Sequence, residues 1–95
     1  MELKDTVELM TSDDYKERFK AEYYQLKIRY EKLQMFVNKI KLCAYDEFHE
    51  SMPEHDCPLG LLEEQLDYMK DYLDVLQQRA FAESIELENN NDNKN

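Results

Sequence analysis

The arrangement of apolar residues between positions 19 and 44 restricts this chain more than any other feature. Phe19, Tyr23, Leu26, Tyr30, Leu33, Val37, Ile40 and Ala44 are separated alternately by four and three positions. That alternation keeps one stripe of side chains on one side of a helix, and helices pack along their length through such stripes. A half-buried strand would need a period of two. Leu62, Leu66, Met69, Leu73, Leu76 and Ala80 repeat the alternation further along. Gly occurs once and Pro twice in 95 residues, all of them beyond position 52. Nothing therefore interrupts the first array.

The two arrays predict an all-α fold, an antiparallel two-helix hairpin of coiled-coil character. Thr11, Ser12, Asp13 and Asp14 form a cluster of N-cap residues, with acids where a helix N-terminus favours them. The first helix is expected over 13–43, a loop over 44–57, and the second helix over 58–84. Pro58 fits its first helical position, with Asp56 or Cys57 as the cap. Residues 1–12 read as a flexible N-terminal extension, although Thr6 to Met10 have the composition of a helical turn. Residues 85–95 contain ENNNDNKN, a polar low-complexity tract expected to be disordered. The hairpin over 13–84 is then the single domain that 95 residues allow.

A hairpin closed by one seam buries little apolar surface, and more apolar residues lie off the seam. Ala21, Ile28, Met35 and Leu42 recur at intervals of seven on the first helix; Leu61, Tyr68, Tyr72 and Val75 lie beside the seam of the second. A helix apolar on two sides is buried on two sides. The expected second partner is another copy of the chain, so the hairpin should assemble into a helical homo-oligomer through Ile28, Met35, Leu42, Tyr68 and Tyr72. The alternative is that these stripes pack beneath the N-terminal segment or the loop of the same chain.

The formal charge of −10 argues against direct DNA binding and against docking on an anionic membrane. No apolar run approaches the roughly 18 residues of a membrane span, and MELKDTVELM lacks the pattern of a secretory signal. Two cysteines, Cys43 and Cys57, suit a reducing compartment. The charge is uneven. Eight basic and five acidic residues leave +3 between Asp13 and Cys43, whereas three basic and fourteen acidic leave −11 between Ala44 and Asn95. The first helix is thus the place where an anion can be held. Lys20, Tyr24 and Lys27 share one of its faces, a ring between two ammonium groups, which suits a small nucleotide. Arg29 and Arg79 complete the candidate ligand set. The plainer reading pairs the lysines with Glu17, Glu31 or the acids Glu63, Glu64, Asp67, Asp71 and Asp74 of the second helix.

Catalytic and metal chemistry is not signalled. His49, His55, Cys43 and Cys57 match no familiar ligand spacing, and Ser12, Ser51 and Ser84 have no base and orienting group nearby in sequence. No Gly-rich phosphate loop is present. The expectation is no enzyme, no metal and no cofactor.

The stretches ERFKAEYYQLKIRYEKL (Glu17 to Leu33) and CPLGLLEEQLDYMKDYLDVLQQRA (Cys57 to Ala80) resemble a family of very small tailed-phage proteins, one of them from a crAss-like gut phage. The resemblance spans both helices and implies a helical hairpin of phage origin acting in the host cytoplasm. In size, hairpin architecture and assembly the chain is also similar to the phage helical sponges that sequester cyclic-nucleotide signals of anti-phage (CBASS) immunity. That similarity is one of fold, which does not fix function. It implies an anti-defence protein sequestering a cyclic nucleotide or a cyclic ADP-ribose-type signal between copies. Two other readings compete. An acidic inhibitor would occupy a basic host protein that binds nucleic acid, and a coiled-coil adaptor would serve a structural role in the phage.

Overall fold

The computed structural model describes residues 1–44 and 52–87. Of the expected loop, residues 45–51 lie outside the described residues, as do residues 88–95 of the expected tail. All regular structure among the described residues is helical. A 3-10 turn, Leu3–Thr6, runs into α1, Val7–Met10; the long helices are α2, Tyr15–Ala44, and α3, Leu59–Ala82. The two long helices fold back on each other as the periodicity predicts.

Local chemistry sets the ends. Within the Thr11–Asp14 cluster it is Asp14 that caps α2, its Oδ1 accepting the Lys16 N–H at 2.9 Å. The Ser12 hydroxyl accepts the Asp14 N–H at 3.0 Å, and Arg18 donates to the Ser12 carbonyl at 2.7 Å. At α3 the expected boundary moves by one residue. Pro58 has φ −58° and ψ 143°, outside the helical region, and is the N-cap rather than the first helical residue. Its carbonyl accepts from Leu61 and Leu62 at 3.1 and 3.3 Å.

α3 stops by a left-handed residue that is not glycine. Ser84 has φ 58°, and the Ile85 N–H returns to the Ala80 carbonyl at 2.8 Å. This closure turns Ile85 into the core, where it is 5% exposed, with Leu87 packed alongside. Residues 85–87 thus belong to the packed body rather than to a disordered tail. An L side chain resists this backbone conformation. Ser84→Gly should therefore raise stability by about 0.5–1 kcal/mol, read as a higher urea midpoint; a lower midpoint would show that the serine side chain itself holds the turn.

The seam forms the core. Phe19, Tyr23, Leu73, Leu76, Ala80 and Ile85 cluster with Tyr24, and Val37, Ile40 and Cys43 continue the buried side of α2. Tyr23 and Leu76 are among the most deeply buried side chains. Leu26, Tyr30, Leu33, Leu62, Leu66 and Met69 are only half-buried, and Ala44 at the end of the array is exposed.

The extension expected to be flexible takes a packed conformation. Leu3–Met10 lie along α2, and Thr6 is fully buried, with Gln25 Nε2 donating to its hydroxyl at 2.8 Å. Leu9 packs against the core cluster. This segment covers the upper part of the off-seam stripe: Ala21 is buried and Ile28 half-buried. The same stripe is open lower down, where Met35 is 71% and Leu42 72% exposed. On α3, Tyr68 and Tyr72 are likewise exposed.

Candidate ligand-binding grooves

The two flanks of the α2–α3 seam carry different chemistry. One flank is a polar groove of about 380 Å³. α2 contributes Tyr30, Gln34, Asn38 and Lys41, α3 contributes Glu63, Asp67 and Lys70, and the seam residues Val37 and Leu66 complete the lining. Its size falls in the range of small-molecule sites, and its amides, phenol and two ammonium groups supply convergent donors. Lys41 Nζ lies 2.6 Å from Glu63, and Lys70 Nζ lies 3.3 Å from Asp74. Both pairs are open to solvent, so an incoming anion can compete with either carboxylate at modest cost.

The other flank gathers rings and one guanidinium. Arg79 lies over the Phe19 ring, 4.9 Å from its centre, and donates to Glu83 at 2.9 Å. Tyr15 donates to the other oxygen of Glu83 at 3.2 Å, and Tyr72 donates to Glu22. The hydrogen bond from Arg79 holds the Glu83 carboxyl below its ordinary range. The hydrogen bond to Glu22 and partial burial push the Tyr72 phenol up, because its ionisation would face a carboxylate. Arg79 is thus committed to Phe19 and Glu83.

The residues expected to hold an anion are dispersed. Lys20 and Lys27 are half-buried, and Lys27 pairs with Glu31 at 3.3 Å, as the plainer reading anticipates. Tyr24 does not offer a stacking face. It is 6% exposed, with its ring edge-on to Tyr23 at 5.6 Å between centres. Lys27 lies about 140° round α2 from Glu22, the residue that meets Tyr72. The two lysines are therefore on a different side of the hairpin from Arg79. Arg29 is exposed. Sequence reasoning missed Tyr30, Gln34, Asn38, Lys41 and Lys70. A partial signal was available, since Tyr30, Gln34 and Lys41 fall at helical intervals on one side of α2.

Among the described residues no group of three or more His, Cys, Asp or Glu is placed to hold a metal ion. His55 instead donates from Nδ1 to the Pro53 carbonyl at 2.9 Å and meets Phe36 edge-on, 6.1 Å between ring centres. Cys43 is buried and Cys57 half-buried. No described helix is long and apolar enough to cross a membrane.

Comparison with known proteins gives one match. A family model described as Sequestin matches residues 13–82, which include α2, α3 and both flanks of the seam. No curated protein and no solved structure matches the chain.

Proposed function

The chain belongs to the Sequestin family, and from that premise we propose that it sequesters a small anionic nucleotide without chemically changing it. The family name denotes sequestration, and the polar groove is the observation that carries the rest. Lys41 and Lys70 reach it from different helices, and Tyr30, Gln34 and Asn38 lie between them. The ammonium groups suit phosphates, and the amides and phenol suit a base or ribose. Lys27, one turn before Tyr30, extends the basic side of the groove toward Lys20. The fitting ligand class is a cyclic dinucleotide or a cyclic ADP-ribose-type signal, and the setting is a phage protein acting against host immunity in the host cytoplasm.

Sequestration of this kind needs stoichiometric binding and no catalytic constellation. It is also served by an assembly of copies, for which Met35, Leu42, Tyr68 and Tyr72 are the available surface.

Calorimetry against cyclic dinucleotides and cyclic ADP-ribose isomers tests the reading. Saturable binding of one of them is expected, with recovery of the unaltered ligand on denaturation. Lys70→Ala should weaken that binding by about 10-fold or more, the usual effect of losing a charge-assisted contact, and Lys27→Ala by less. Flat traces across the panel would overturn the assignment.

A further inference from the structure

Two stripes on the outside of the hairpin are complementary. On α2, Ile28, Lys32, Met35, Lys39 and Leu42 follow intervals of 4, 3, 4 and 3, so apolar residues alternate with lysines. On α3, read backwards, Val75, Asp71, Tyr68, Glu64 and Leu61 follow the same intervals, and here apolar residues alternate with acids. Each stripe spans 14 intervals, about 21 Å of helix. Laid antiparallel, they meet in register: Ile28 with Val75, Lys32 with Asp71, Met35 with Tyr68, Lys39 with Glu64, Leu42 with Leu61. A parallel alignment keeps the apolar positions level but puts each lysine one residue, about 1.5 Å of rise, out of step with its acid.

Nine of these ten residues are exposed, and Ile28, at the end of the α2 stripe beside the N-terminal segment, is half-buried. Lys32, Lys39, Glu64 and Asp71 are exposed, and Leu61, Tyr68 and Val75 are 56%, 66% and 52% exposed. Among the described residues neither Lys32 nor Lys39 has an ion-pair partner, and Glu64 accepts only a long hydrogen bond from Tyr68, at 3.4 Å. An open, apolar groove of about 420 Å³ runs along this side of α3 beside Leu61, Tyr68 and Tyr72.

Neither stripe can reach the other within one chain. Met35 lies two residues from both Leu33 and Val37, and Asp71 and Val75 each lie two residues from Leu73. All three are some 200° round their helices from those seam positions. The stripes therefore point away from each other.

We infer that the α2 stripe of one copy packs antiparallel on the α3 stripe of the next, in the register that sets Met35 against Tyr68 and each lysine against an acid. The contact joins unlike faces, so it is heterologous. Repetition closes a ring when the rotation allows and otherwise extends a filament. This preserves the alternating helix direction of the hairpin across every junction. The inference rests on the proposal above only in taking the chain to act as an assembly of copies.

Paired charge reversals test it by light scattering on the full chain. Lys32→Glu with Lys39→Glu makes both stripes acidic; Glu64→Lys with Asp71→Lys makes both basic. Either double variant alone should lose assembly by about 100-fold or more in dissociation constant, since like charges then face each other at two positions. An equimolar mixture should recover it, because every junction between unlike variants is again complementary. Circular dichroism checks that each variant stays helical. Met35→Cys with Tyr68→Cys, in a background with Cys43 and Cys57 changed to Ser, should give disulfide-linked chains and no closed monomer, and this reports the register when a charge variant folds poorly. A wild-type monomer at high concentration overturns both the junction and the assembly reading. An assembly unmoved by either double variant overturns the junction alone. A flat calorimetric panel with intact assembly removes the nucleotide and leaves the junction standing.

Discussion

Leu76→Ala should cost about 2–5 kcal/mol, the range for truncating a fully buried leucine. Leu76 is 2% exposed and sits in the cluster formed by Phe19, Tyr23, Leu73, Ala80 and Ile85. The cavity has little means to collapse, because α3, α2 and the returning Ile85 hold it from three directions. A chain of this length has on the order of 5–14 kcal/mol in all. The loss is thus a large fraction of what keeps the hairpin folded. Urea denaturation should show a markedly lower midpoint with an unchanged slope. A loss below about 1 kcal/mol would mean that the seam does not close where the structure closes it.

Removal of residues 1–12 should be nearly as damaging, on the order of 2–4 kcal/mol from the apolar surface uncovered. Leu9 leaves the core cluster, Ala21 becomes exposed, and Gln25 loses the Thr6 hydroxyl. Arg18 also loses its acceptor at the Ser12 carbonyl, and Asp14 loses the Ser12 hydroxyl that steadies it as a cap. Thermal unfolding of the truncated chain measures the effect. An unchanged transition would show that the segment merely lies on α2.

These two results probe parts of the molecule that differ in how openly they are written. The Leu76 environment was readable, since a 4-3 alternation repeated in two arrays leaves little choice but two helices meeting along it. The N-terminal segment was not. Its helical pieces are four residues each, too short to show a period, and their burial depends on Ala21 and Gln25, which look unremarkable in sequence. Tyr24 was misplaced for the same reason. Spacing assigns it to a face with Lys20 and Lys27 but says nothing of what covers that face. The groove residues fared no better, because Lys41 and Lys70 come to line one groove only through the relative register of α2 and α3. Neither helix encodes that register alone. Ser84 carries no residue-type signal at all, since glycine or asparagine is what a left-handed helix end usually announces.

The distribution of burial along the hairpin has a mechanical consequence. Phe19, Tyr23, Tyr24, Leu76, Ala80 and Ile85 lie where the start of α2 meets the end of α3, and Leu9 is packed against them. The polar groove lies toward the opposite end, between Tyr30 and Lys41 on one side and Glu63 and Lys70 on the other, beside the half-buried Leu66. α2 keeps Val37, Ile40 and Cys43 buried at this end too, but Leu62, Leu66 and Met69 of α3 are only half-buried there, so α3 is held less firmly at the groove than at its other end. A slight bend of α3 would therefore change the spacing at the groove before it disturbed the Leu76 cluster.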